Sequence, residues 1–151
     1  MATSPPYRPS HAAPPAPHAI HGILAAYPLV CFTGALLTDI VYANTAQMQW
    51  ANFSVWLIAA GVVMALLAAV AGIVDAARGR RRGAPRRSSA VHSVLTIVAL
   101  VVAIINGFIH SRDAWTSVVP AGLILSAISA VLILITSWNG YSVGRPDQGV
   151  A

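Results

Sequence analysis

The side chains of this chain that are best suited to chemistry are histidines and acids at a helical spacing. His21 and Asp39 are eighteen residues apart, and His92 and His110 have the same separation. Eighteen residues make five turns of an α-helix, so the members of each pair share one face and lie about 27 Å apart along the axis. Imidazole is an axial ligand of haem iron, and an imidazole changes its protonation near neutral pH. The pattern therefore indicates two possible kinds of chemistry, which are metal ligation and proton exchange.

The first hypothesis is a haem b site. His21 and His92 would be its axial ligands, because facing helices of a bundle can supply one imidazole to each side of the ring. A second group, His110 with Asp39, would suit a quinone or proton exchange, because ionisable residues inside a membrane are costly and often functional. The hypothesis makes the chain an electron-transfer bundle.

A second hypothesis gives these polar groups a structural role. Asp39, Asp75, Asn106 and His110 would form a polar seam in which side chains bond neighbouring helices. Such bonds contribute only about 0.6 kcal/mol on average in membranes, but they can fix helix register. This predicts a non-catalytic membrane subunit, assembly factor or scaffold. A third alternative is transport of protons or a small solute, for which a chain of 151 residues would have to form a homo-oligomer.

The sequence lacks the motifs of soluble enzymes. It contains no nucleophile elbow, phosphate-binding loop or paired-carboxylate site, and the single cysteine excludes an internal disulfide and a thiolate cluster. The only acids are Asp39, Asp75, Asp113 and Asp147. Soluble-enzyme chemistry therefore has no support.

Four apolar runs must position the candidate residues. With 57% hydrophobic and 9% charged residues, the chain has too few charges to solvate a water-soluble domain of this size. The runs cover residues 20–41, 55–74, 91–109 and 120–138, and each can cross a hydrocarbon core about 30 Å thick. We predict an all-α bundle of four transmembrane helices in the lipid bilayer of the bacterial cytoplasmic membrane.

Arginines predict the orientation of this bundle. Six of them lie in the connection 75–90, and Arg8 and Arg145 fall on the same side after four crossings, which leaves Arg112 alone on the other. Positive charge collects on cytoplasmic flanks, so both termini and the basic loop are predicted to be cytoplasmic. The loop is flanked by membrane spans, and it is expected to touch anionic lipid headgroups and to bind no nucleic acid.

Three further segments complete the predicted organisation. Residues 1–19 are rich in proline and are expected to be a disordered cytoplasmic tail. Residues 141–151 form a second cytoplasmic tail. Residues 43–54 are predicted to be a short outer loop with Trp50 in the headgroup region.

Small and polar side chains recur along single faces of the predicted spans. In a membrane, small residues let helices approach closely, and this drives their association. These faces comprise Gly61, Ala65, Ala68 and Gly72 in the second span; His92, Thr96, Ala99, Ala103, Asn106 and His110 in the third; and Gly122, Ser126, Ser129, Thr136 and Gly140 in the fourth. They are predicted to point into the bundle.

The two halves of the chain show a weak internal repeat. The matched residues are His21, Asp39 and Gly61 in the first half and His92, His110 and Gly122 in the second. Two helix hairpins that run in the same direction would be related by an axis along the membrane normal. This would place Asp39 and His110 at one depth, and His21 and His92 at another.

An ordered series of motifs resembles a bacterial membrane family catalogued as domain of unknown function 2231. The series begins with His21, Tyr27-Pro28 and the segment Gly34-Ala-Leu-Leu-Thr-Asp39, and it covers roughly residues 20 to 140. It continues with Phe53-Ser-Val-Trp56, Gly61, Gly72-Ile-Val-Asp75, His92, Asn106 and Pro120-Ala-Gly-Leu-Ile-Leu-Ser126. Gly22 and Tyr27 depart from the family's proline and phenylalanine, and the glycine-rich ending is shortened. Relatives occur fused to Rieske iron-sulfur or cytochrome-type domains, so the resemblance implies a redox setting with respiratory membrane partners.

Overall fold

The computed structural model describes residues 19–81, 90–112 and 114–144, and all of their regular structure is helical. The long helices are α1 (Ala19–Thr45), α2 (Met48–Arg81), α3 (Ala90–His110) and α4 (Ala121–Gly144), and a short 3₁₀ helix at Ala114–Ser117 precedes α4. The two predicted tails and the part of the basic loop at residues 82–89 lie outside the described residues, apart from residue 19 and the end of α4. Helix α2 extends through the first part of that loop.

The outer surface of the bundle is apolar and its interior is small and polar. Large side chains point outward on every helix, such as Ile23, Trp56, Phe108 and Trp138. All four helices are long and apolar enough to cross a membrane. Because lipid rather than water suits such a surface, the predicted all-α bundle of four spanning helices is confirmed.

The four helices form two hairpins, α1 with α2 and α3 with α4, and the two helices within each hairpin are antiparallel. Helix α1 packs against α2 and α4, and α3 packs against α4 and α2, so α1 and α3 face each other across the bundle. We call the end with residues 46–47 and 111–120 the turn end, and the end where α1 and α3 begin the loop end. Asp39 and His110 lie near the turn end, and His21 and His92 near the loop end.

The connection between α1 and α2 is only residues 46–47, much shorter than the predicted loop 43–54. The Asn44 and Thr45 side chains donate hydrogen bonds to the Ile40 and Val41 carbonyls, which helps the helix continue to Thr45. Ala46 then takes a left-handed conformation with φ 54°, and its N–H donates to the Tyr42 carbonyl at 2.7 Å. This is the geometry of a helix C-terminal cap.

The burial pattern repeats between the two hairpins. Buried positions of α1 and α3 match at a separation of 71 residues: Pro28 with Ala99, Phe32 with Ala103, Ala35 with Asn106, and Asp39 with His110. Buried positions of α2 and α4 match at a separation of 68 residues: Ser54 with Gly122, Ile58 with Ser126, Gly61 with Ser129, and Ala68 with Thr136. The bundle is therefore built from two parallel hairpins with equivalent interior faces.

One pairing predicted from the sequence is wrong. Gly61 and Gly122 do not correspond, because Gly61 lies against Phe32 near the middle of α1, whereas Gly122 lies against His110 near the turn end. Each of these glycines makes room for a large ring at its own depth, and in the other hairpin a serine occupies its place. The chemical likeness of two glycines was thus a poor guide to the register of the repeat.

Candidate functional site

The candidate site is built around a direct contact between Asp39 of α1 and His110 of α3. The imidazole Nε2 lies 3.0 Å from Oδ1 and 3.2 Å from Oδ2 of the carboxyl group. Both side chains are fully buried. The contact crosses the bundle between the two hairpins, so it joins helices that are not sequence neighbours.

The other ring nitrogen of His110 is also engaged. Its Nδ1 lies 3.0 Å from the backbone carbonyl oxygen of Asn106, one turn earlier in α3. The ring occupies space that Gly122 leaves open on α4, where a Cβ would lie 2.8 Å from Cε1 of the imidazole. The glycine and the helix backbone therefore fix the orientation of the imidazole toward Asp39.

Asn106 extends the polar group one turn deeper into the bundle. Its Nδ2 donates a hydrogen bond to Ser126 Oγ at 2.9 Å. Its Oδ1 has no hydrogen-bond partner, and neither does Ser129 Oγ, although both residues are only 1% exposed. The Asn106 oxygen could accept a hydrogen bond from a small polar molecule such as water, and the Ser129 hydroxyl could donate or accept one.

A second polar contact lies beside Asp39, between α1 and α2. Thr38 Oγ1 and Ser54 Oγ are 2.6 Å apart, and Thr38 also donates to the Ala35 carbonyl at 2.9 Å. Ser54 Oγ lies 3.3 Å from the same carbonyl. The hydroxyl groups therefore join α1 to α2 at the depth where His110 joins α1 to α3.

His21 and His92 lie at the loop end, and each packs on the second helix of its own hairpin. His21 Nδ1 lies 2.9 Å from the Ala68 carbonyl, and a Cβ at Gly72 would be 3.2 Å from that nitrogen. A Cβ at Gly140 would likewise be 3.2 Å from Cε1 of His92. The two histidines thus occupy equivalent places, with a glycine under each ring.

The residues of the predicted polar seam do not form one continuous group. Asp39, Asn106 and His110 come together near the turn end, whereas Asp75 is a half-buried residue of α2 at the loop end. Within the described residues, no cluster of three or more histidine, cysteine or acidic side chains could hold a metal ion. The site is therefore a small buried arrangement of one acid, one imidazole, one amide and two hydroxyl groups.

The family model for predicted membrane proteins of domain of unknown function 2231 matches residues 17–148. The chain belongs to the DUF2231 family. Its membership agrees with the resemblance seen in the sequence and with the four helices that can span a membrane. No match was found among the curated proteins or among the solved structures.

Two contacts of this DUF2231 protein and one unpartnered hydroxyl could not be predicted from residue spacing. Ser54 belonged to a segment predicted to be a loop, so its bond to Thr38 was missed. The partner of His21 is the Ala68 carbonyl, and a backbone group leaves no trace in the sequence. Ser129 was placed on the interior face of its span, but its unpartnered hydroxyl depends on side-chain geometry.

Proposed function

We propose that this DUF2231 protein is a non-catalytic membrane subunit or scaffold of a redox or respiratory assembly in the bacterial cytoplasmic membrane. The supporting observation is that most of its buried polar side chains form hydrogen bonds with other groups inside the bundle. His110 bonds Asp39 and a carbonyl of its own helix, and Asn106 bonds Ser126. An enzyme presents such groups to a substrate, whereas here they connect helices and hold their register.

The redox part of the proposal is supported by the family resemblance, because relatives are fused to Rieske iron-sulfur or cytochrome-type domains. A subunit of this kind would meet its partners through its lipid-facing surface, and those partners would be membrane proteins or further copies of the chain. The proposed orientation puts the loop end, with Arg78 and the termini, on the cytoplasmic side, and the turn end, with Arg112, outside.

Extraction of membranes into lipid nanodiscs without detergent tests this role. The tagged chain is expected to migrate with an assembly that contains haem or iron-sulfur absorbance, and deletion of its gene is expected to lower the amount of that assembly. Re-expression of the wild-type chain should restore it. Isolation of the chain as a colourless monomer, together with unchanged respiratory complexes in the deletion strain, would contradict the proposal.

Binding of haem b is a second candidate function, and the ring of His21 favours it. Its Nδ1 lies against the Ala68 carbonyl, and a ligating histidine commonly donates one ring N–H to such a group while the other nitrogen binds the metal. The equivalent His92 has a buried Nδ1 without a hydrogen-bond partner. The two imidazoles would hold the iron from the two hairpins, and the haem would carry single electrons.

A visible spectrum separates the two candidates. The protein is purified from haem-sufficient cells, and oxidised and reduced spectra are recorded. A Soret band that is lost in His21→Ala and in His92→Ala, but kept in His110→Gln, would support haem binding. A colourless and folded protein would exclude it and favour the subunit role.

A further inference from the structure

The positions of the His110 ring nitrogens determine how many protons the buried pair carries. Nδ1 lies 3.0 Å from the Asn106 carbonyl oxygen. A carbonyl oxygen can only accept a hydrogen bond, so Nδ1 must carry a hydrogen. The neutral tautomer with its only hydrogen on Nε2 would place two lone pairs against each other at this contact. That tautomer is therefore disfavoured.

The second nitrogen faces the carboxyl group, and this leaves two arrangements. If Asp39 is ionised, Nε2 carries a hydrogen that it donates to Oδ1, and His110 is an imidazolium. If His110 is neutral, Asp39 is a carboxylic acid whose O–H donates to Nε2. In both arrangements the pair holds two protons and has no net charge. One proton fewer would leave a bare Nε2 beside a carboxylate in a fully buried place.

We propose that Asp39 and His110 form a proton-binding site, in which one proton is shared between the carboxyl oxygens and Nε2. The bound species is a proton that can pass between an acid and a base of the same chain. This inference goes beyond the subunit role and does not depend on it, because the site would bind its proton with or without partner proteins.

Asn106 and Ser129 supply an independent observation that the site extends inward. Asn106 Oδ1 and Ser129 Oγ are buried polar atoms without partners, and buried groups of this kind usually bind water. Ser129 lies one helical turn below Ser126, the partner of Asn106. Water held there would bond the side chain of Asn106, whose backbone carbonyl contacts His110 of the proton-binding pair.

Fewer polar side chains lie in the bundle interior toward the loop end. The buried residues of α3 below Asn106 are Ala103 and Ala99, and the Thr136 hydroxyl of α4 donates to its own helix, to the Leu132 carbonyl. The other titratable groups described near the turn end are Tyr42, whose hydroxyl donates to Met48 Sδ, and the exposed Arg112. The polar group is therefore confined to the part of the bundle near the turn end.

The proton count is tested on the full chain in lipid nanodiscs at pH 7. Nitrogen NMR of the ¹⁵N-histidine-labelled protein gives the hydrogens on the His110 ring, and infrared difference spectra between the wild type and Asp39→Asn show whether Asp39 is a carboxylic acid. Signals of His110 are assigned by their loss in His110→Gln, or by their movement in Asp39→Asn if the first variant does not fold. His92→Gln is the matched control at the equivalent histidine of the loop end.

The expected wild-type result is a total of two protons on the pair, either as an imidazolium or as a neutral ring with hydrogen on Nδ1 and a carboxylic acid band. Asp39→Asn should remove one proton, leaving a neutral ring with hydrogen on Nδ1 only, and His92→Gln should leave the count unchanged. A wild-type ring with a single hydrogen, on either nitrogen, and no acid band would overturn the proposal, as would an unchanged proton count in Asp39→Asn.

Discussion

Asp39 and His110 occupy equivalent positions in the two hairpins, 71 residues apart, and they touch each other at 3.0 Å. An axis that relates two parallel hairpins brings equivalent positions of α1 and α3 close together at its centre. A repeat with identical residues there would oppose two acids or two imidazoles. The chain instead has one of each, so the contact is complementary.

Removal of either member of this pair should weaken the bundle. Asp39→Ala leaves the Nε2 side of a buried imidazole unbonded, and His110→Ala leaves a buried carboxyl group without its partner. We expect each to lower the free energy of unfolding by about 1–2 kcal/mol, near the upper end for interhelical hydrogen bonds in membranes. Thermal unfolding in detergent measures the effect.

A double-mutant cycle shows whether the loss comes from the contact itself. Asp39→Ala combined with His110→Ala should cost less than the sum of the single changes, because the two side chains are direct partners. Additive losses, or an unchanged melting temperature in Asp39→Ala, would show that the contact contributes nothing.

The equivalence also predicts that the acid and the base can exchange places once there is room for the ring. His110 fits because Gly122 carries no Cβ, but the residue equivalent to Gly122 is Ser54. We expect Asp39→His with His110→Asp to be less stable than the wild type. Adding Ser54→Gly should recover most of the loss, to within about 1 kcal/mol of the wild type.

Unfolding in the same detergent compares the exchanged pair with and without the serine change. Ser54→Gly alone is the control, since it removes the Ser54 hydroxyl, with its contacts to Thr38 and the Ala35 carbonyl, and leaves Asp39 and His110 in place. If the three changes together are no more stable than the two, then the hairpins are not interchangeable at this depth.

Gly61 provides a test of helix packing in the middle of the bundle. A Cβ at this position would lie 2.5 Å from Cε1 of the buried Phe32 ring and 3.0 Å from Cβ of Cys31. Gly61→Ala should therefore destabilise the bundle by about 1–3 kcal/mol through overpacking. Adding Phe32→Leu should return part of this loss, because it replaces the ring that the new methyl group meets with a smaller side chain.

Gly107 is the matched control for this change. A Cβ there meets only Ile58 Cγ2, at an ordinary 3.6 Å. Gly107→Ala is expected to change the free energy of unfolding by no more than about 0.5 kcal/mol. Equal effects of the two alanine substitutions would contradict the close approach of α1 and α2.

Cysteine labelling tests the proposed orientation. In a Cys31→Ser background, Gln47→Cys at the turn end should react with a membrane-impermeant maleimide on intact cells, because Gln47 is exposed between α1 and α2. Ser88→Cys, in the basic loop, should react only after the cells are opened. The reverse pattern would place the arginine-rich loop outside and invert the topology.

Much of the fold could be predicted because the membrane simplifies the problem. Four apolar runs separated by polar segments must become helices when no water is available to bond their backbone. The interior face of α3 was also predictable, since Asn106 and His110 share a helical face with Ala99 and Ala103, and all four are buried.

The details that escaped prediction depend on side-chain bonds within a helix and on contacts between helices. The sequence cannot show that Asn44 and Thr45 bond back to their own helix and shorten the connection to residues 46–47. Nor does it show which ring lies opposite a glycine, so Gly61 was aligned with Gly122 although their partners differ.

The two hairpins differ by three residues, and the whole difference falls at the turn end. Fifteen residues separate Asp39 from Ser54, whereas twelve separate the equivalent His110 and Gly122. Connections of two different lengths are thus compatible with the same alignment of the helices below them. An epitope or fluorophore inserted after Ala46 should be carried in the same way, which makes this connection a convenient handle for following the protein in living cells.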